Sequence, residues 1–157
     1  MKSLLLGAAA LAAASISSAA MAANAQVEAP IRQFIDAFNK GDMKTAAATH
    51  LPSVTIVDEA RPFLWQGPTA FMGWATDLTN DDKADGVSGE AVALGALKRE
   101  VISGDNAYAI MAVTYSFKKK GAAMHEPAQM TFALKKTAAG WKIAAWTWTG
   151  PEPTPVK

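Results

Sequence analysis

Cysteine is absent from the chain. No disulfide can staple the fold and no lipid can be attached to a thiol, so one hydrophobic core must carry stability. An excess of charge is missing too: 15 Lys and Arg stand against 14 Asp and Glu. That balance argues against a nucleic-acid partner or an anionic-membrane surface. The only run of like charge, Lys118-Lys119-Lys120, precedes Gly121 and reads as a solvated hairpin turn rather than a phosphate site. Histidine is scarce, and neither His50 nor His125 has a His-x-His or Glu-x-x-His partner, so no metal site is expected. His50 is read as closing a helix, where a partly positive imidazole complements the dipole. No serine sits in a nucleophile elbow and no glycine-rich loop is spaced for phosphate, so covalent catalysis has no support and no cofactor is expected.

A membrane-spanning run is also lacking. The strongest apolar stretch, Leu4 to Ala14, falls short of the roughly 20 residues a membrane helix needs. Lys2 before it, and Ala20-Met21-Ala22 or Ala23-Asn24-Ala25 after it, complete the pattern of a secretory signal peptide over residues 1–25. The protein is therefore expected in the periplasm or secreted, with no membrane insertion after signal removal. Loss of Lys2 without any acid leaves 14 basic and 14 acidic residues. A mature chain of about 130 residues suits one domain, over residues 26–150, that buries roughly two thirds of its unfolded surface.

What is present begins with a stripe of Val27, Ile31, Phe34, Ile35 and Phe38, spaced for an amphipathic helix that Gly41 stops. Asp42 can cap a shorter helix through "MKTAAATH", which Pro52 ends. Strand character follows from Val54 to Glu59 and near Phe63 to Gln66, around the turn "ARP". A third helix starts at Gly67-Pro68 and fades in "TNDDKADG". Four long strands then alternate with turn signals at Gly104-Asp105, around Gly121 and at "TAAG". The Pro-rich end, residues 151–157, is expected to be an extended, poorly ordered tail. These elements predict an α+β fold: a curved antiparallel sheet, covered on one face by three helices from the N-terminal half, enclosing a cone.

From "IRQFIDAFNKGD" through "VTIVDE" and "WQGPTAF" to "GWKIAAWTWT", the chain resembles the SnoaL-like and ketosteroid-isomerase-like branch of the nuclear-transport-factor-2-like superfamily. The resemblance implies a cystatin-like cone and homodimers formed sheet to sheet. It does not fix a function, because this fold hosts isomerases, cyclases, dehydratases and plain binding domains. In ketosteroid isomerases a carboxylate base follows the second helix by one strand, and the matching position is Asp58. The alternation of Val54 and Ile56 would also carry Asp58 inward, where desolvation raises its pKa and suits proton abstraction. The isomerases' oxyanion donors are not matched: Phe34 stands at the tyrosine position, and Gln129 or Met130 at the aspartic acid position. A lost oxyanion donor costs about 10²- to 10³-fold, so steroid isomerisation is not expected.

Trp146 and Trp148, two apart, share a face of the last strand. With Trp65, Trp74 and Tyr108 they are candidates to line a pocket, alongside Phe34, Phe38, Ile56 and Met130, although aromatic residues in such a pattern more often fill a core. Arg61 is read as a turn residue pairing with Glu59, or as a guanidinium near Asp58 that would lower its pKa. Together these features predict an exported domain that binds a small apolar or amphipathic molecule. The alternatives are a cofactor-free lyase or isomerase-like enzyme with Asp58 as general base, and a dimeric accessory domain whose cone is filled.

Overall fold

The computed structural model describes residues 25–157. The signal segment, residues 1–24 of it, lies outside the described residues. Helix α1 runs over residues 25–39 and buries Val27, Ile31, Phe34 and Ile35, the apolar stripe of the sequence. Gly41, at a φ of 68°, ends it where a side chain would be strained. Asp42 then caps α2 (Met43–Ala48) by accepting a hydrogen bond from the Thr45 amide at 3.0 Å.

Strands β1 (His50–Val57) and β2 (Leu64–Gly67) form a hairpin, and α3 (Ala70–Asp85) follows. The rest is a meander of β3 (Val87–Ser103), β4 (Asn106–Lys119), β5 (Ala122–Thr137) and β6 (Gly140–Thr149), ending in the short β7 (Thr154–Pro155). The sheet order is β2-β1-β6-β5-β4-β3, with β7 on the side against β5. Irregularities in the β3 to β4 ladder, between Ser88 and Ala91 and between Leu94 and Arg99, supply the local twist that bends the sheet.

Phe34 is the hub of the core between helices and sheet. Its ring centroid lies 4.9 Å from His50, 5.7 Å from Trp146 and 6.2 Å from Trp74. Trp74 and Trp146 meet edge to face at 5.0 Å. Such contacts lock ring orientations as well as burying area.

The α+β architecture with three helices on one face of a bent sheet is as the sequence predicts, and four details differ. The sheet is mixed, because β1 lies parallel to β6 with Ile56 opposite Trp146. That same pairing recruits residues from His50 onward, so α2 ends earlier and β1 begins earlier than local sequence signals indicate. Helix α3 does not fade in "TNDDKADG" but continues to Asp85, where Asp81 pairs with Arg61, Asp85 with Lys119, and Gly86 at a φ of 71° terminates it. The tail is extended but paired: β6 stops opposite Gln129, which leaves an open edge at Met124 and His125 for Pro155 and Thr154.

Candidate functional site

The helices and the bent sheet leave a pocket of about 430 Å³. Phe34 and Phe38 of α1, Trp74 and Leu78 of α3, Tyr115 of β4, Met130 of β5 and both Trp146 and Trp148 of β6 line it. Its polar lining is almost wholly acidic. Asp58 and Glu59 enter from the turn after β1, Asp81, Asp82 and Asp85 from α3, and Glu152 from the tail, with Lys119 as the one base.

Asp58 continues the inward phase of Val54 and Ile56. Its Oδ2 accepts from the Trp74 indole at 2.9 Å, and its Oδ1 from the Ala60 amide at 3.1 Å. Burial raises its pKa, and these two donors only partly oppose the rise. A carboxylate so held is fixed in direction and short of solvent, two requirements of a proton acceptor.

Beside it lies a second acid that period-2 alternation could have located. On β5, Met130, Phe132 and Leu134 are buried, and the same parity places Glu126 inside, wholly buried. By its neighbours alone, His125-Glu126 before Pro127 reads as the entry of a strand, and no local signal marks Glu126 as buried. Glu126 Oε1 accepts from the Trp148 indole at 2.7 Å, and its carboxyl shares a hydrogen bond with that of Glu59. Gly150 lies directly against this carboxylate, since a Cβ there would fall 1.8 Å from Oε1. Burial raises the Glu126 pKa, helped a little by the Asp58 charge, against the hydrogen bonds from Trp148 and Glu59. Glu59 is pushed up to about 7 by burial and by the charges of Glu126 and Asp58. A further acid, Asp82, is pushed up to about 7 by burial and then by Glu90, whose Oε1 accepts from the Tyr115 hydroxyl at 2.8 Å.

Of the residues anticipated for the pocket, Phe34, Phe38, Asp58, Trp74, Met130, Trp146 and Trp148 come together there. Three do not. Ile56 is wholly buried in the core behind the pocket, opposite Trp65 and Trp146. Trp65 lies at the β2 edge beneath Gly73 of α3 and donates to Asp77 at 2.8 Å. Tyr108 is 40% exposed, because the inward phase of β4 belongs to Ala107, Ala109 and Met111. Of the two residues weighed for the isomerases' aspartic acid position, Met130 points inward and is buried, and it has no donor to offer.

Two charge assignments are corrected as well. Arg61 reaches neither Asp58 nor Glu59 but pairs with Asp81 at 3.1 Å. His50 is not a solvated helix-end cation. The Trp146 indole, which can only donate, reaches Nε2 at 3.1 Å, so Nδ1 carries the hydrogen and gives it to the Ala46 carbonyl at 2.9 Å. Burial holds the imidazole down to about 4, and it is neutral. Among the described residues no group of three His, Asp or Glu side chains is placed to hold a metal ion, and no helix is long and apolar enough to cross a membrane.

These shifts set a pH dependence. Glu59 and Asp82, each near 7 in the fold, ordinarily titrate near 4, so between those values the folded chain holds protons that the unfolded chain has released. Stability from this source rises as pH falls from 8 toward 5, and Asp58 and Glu126 act in the same direction. His50 opposes them, because below its ordinary 6.5 the unfolded chain gains a proton that the fold refuses until about 4. Glu59 is partly solvated, which reduces its share. The expected result is a urea midpoint that rises from pH 8 to pH 6, with a flatter slope in Glu59→Gln/Asp82→Asn. A midpoint that falls over that interval would contradict the assignment.

Among solved structures of this fold, the hexachlorocyclohexane dehydrochlorinase LinA-type3 of Novosphingobium barchaimii is 16% identical. The match covers 87% of this chain and 91% of that one at a TM-score of 0.71. A ketosteroid isomerase-like protein of Erwinia carotovora is 22% identical over 82% and 96%, with a TM-score of 0.64. An NTF2-like protein with a cystatin-like fold from Novosphingobium aromaticivorans is 15% identical over 94% and 92%, with a TM-score of 0.69. No curated protein matches the chain. Residues 27–148, from the first buried valine of α1 to the tryptophan beside Glu126, match the SnoaL-like domain family, and the chain belongs to that family.

Proposed function

We propose that this SnoaL-like domain is an exported protein that binds a small apolar or amphipathic molecule in the pocket beneath Trp74, Trp146 and Trp148. The observation that carries the reading is the pocket itself, about 430 Å³ with aromatic walls. That volume lies within the range of small-molecule sites and weighs against a cone filled by its own side chains. Because three indoles line it, titration with apolar compounds should change tryptophan emission. A broad panel that leaves emission unchanged would favour the accessory-domain reading instead.

A second reading, proton transfer by Asp58 in a cofactor-free lyase or isomerase-like reaction, is favoured by one observation. The raised carboxyl faces the pocket and is oriented by Trp74 and Ala60. The dehydrochlorinase and the isomerase-like protein of the same fold are compatible with it, as analogy only. We assign the outer sheet face, where Tyr108 and Val101 are exposed opposite one another, to a second copy of the chain. Tyr108→Lys should then shift the sedimenting mass to that of a monomer, and a parent that already sediments as a monomer rejects the assignment. Export rests on Lys2, the Leu4 to Ala14 stretch and the Ala-x-Ala sites. The exported protein should begin at Ala23 or Gln26, and an intact Met1 on it would refute the proposal.

A further inference from the structure

The segment after β6 lies beyond the stretch matched to the family, residues 27–148. The ladder between β6 and β5 stops at the pair Thr149 and Gln129, and the chain rejoins β5 at His125 and Met124 through Thr154 and Pro155. Between those two attachments it leaves the sheet, and Gly150, Pro151, Glu152 and Pro153 line the pocket. The sequence explains the detour. Pro151 and Pro153 have no amide hydrogen to give to β5, and β5 has none at Pro127, so a continuous ladder cannot close there. The fixed φ of two prolines also stiffens the arch. Gly150 starts it so close to the Glu126 carboxyl and to Ala128 that a Cβ would overlap the first and crowd the second. At the far end the hold is slight: the two-residue pairing of β7, and one hydrogen bond from the Val156 amide to the Ala123 carbonyl at 3.0 Å.

Resting on the binding reading above, we propose that residues 150–153 are a strap forming the outer wall of the binding pocket, clasped to β5 by residues 154–156, and that this strap sets the length of apolar ligand the pocket retains. Met130 and Trp146 are buried and make the floor, whereas Gly150, Pro151 and Glu152 are exposed and Pro153 is half-buried, which puts the strap at the mouth. A short ligand reaches the floor and the aromatic walls without touching it. A longer one extends outward to Pro151 and Pro153, whose rings cover its outer end. Proline suits that role, because its ring offers apolar area with no side-chain rotamer freedom to lose on contact.

The test compares 1-hexanol with 1-decanol, uncharged amphipathic chains that differ only in length, titrated into the full protein with tryptophan emission as readout. In a variant that stops after Gly150, affinity for decanol should fall about tenfold, the worth of roughly two methylenes of buried chain, while affinity for hexanol stays within about twofold. Val156→Pro removes the amide donor of the clasp and leaves the strap residues in place, so it should weaken decanol in the same direction by a smaller factor. It also decides the matter should the truncated chain fail to fold. Equal weakening of both alcohols would mean that the segment supports the fold rather than the site, and would overturn the proposal. If truncation changes neither affinity, the strap proposal fails and the binding pocket stands. Loss of decanol on truncation with no change in Val156→Pro would overturn the assignment of the clasp. If neither alcohol binds the parent, the binding reading fails and the proposal with it.

Discussion

Asp58→Asn is expected to remove any turnover in this pocket by roughly 10²-fold or more while leaving affinity for an uncharged apolar ligand nearly unchanged. The substitution keeps the shape of the side chain. An asparagine oxygen can still accept from the Trp74 indole or the Ala60 amide, so the turn after β1 should hold. What disappears is the capacity to take a proton. Apolar affinity comes mainly from buried area on the aromatic walls, which the change does not touch. Reaction progress and emission titrations on the same preparations separate the two effects. Turnover within a few fold of the parent would remove Asp58 as the base and leave the binding reading alone. Loss of both binding and turnover would indicate that Asp58 instead supports the fold of the turn.

Trp146→Ala should cost about 3 to 5 kcal/mol of stability, the range for removing a large buried aromatic side chain. Its indole is 3% exposed and bridges Phe34 at 5.7 Å, Trp74 at 5.0 Å and, by hydrogen bond, His50. Truncation leaves a void at the meeting of α1, α3 and β6. It also strips Nε2 of the buried imidazole of its only donor, a further cost of about 1 to 3 kcal/mol if water does not enter. For a domain of this size the expected melting point falls by ten degrees or more. Urea unfolding measures the loss directly. A change below about 1 kcal/mol would mean that Trp146 is a pocket wall free to be removed rather than part of the core.

Both substitutions touch residues that sequence pattern singled out, and they were legible for the same reason. Strict alternation carries side-chain direction along a strand without reference to anything distant, so Val54, Ile56 and Asp58 share a side, and so do Trp146 and Trp148. The helical stripe from Val27 to Phe38 was equally plain, as were the Asp42 cap and the turns at Gly104-Asp105 and Gly121. Glu126 was also legible in principle. Its parity with Met130 and Phe132 places it inside, but Pro127 directly after it makes His125-Glu126 read as a strand entry, where alternation carries little weight.

By itself, then, the sequence determined which segments become helix or strand, which face of each turns inward, and membership of an α+β class, because those depend on local periodicity and on caps and turns a few residues long. Only the tertiary structure decided what distant segments do to one another. The parallel pairing of β1 with β6 moved the start of β1, and the open edge of β5 captured the tail. Asp81 drew Arg61 away from Asp58, and burial against Trp146 kept His50 neutral. The meeting of Glu126 on β5 with Asp58 and Glu59 of the turn after β1 belongs to the same group. Each depends on residues brought together from far along the chain, where the cost of burying a charge and the identity of its partner are set by packing, and no local pattern encodes either.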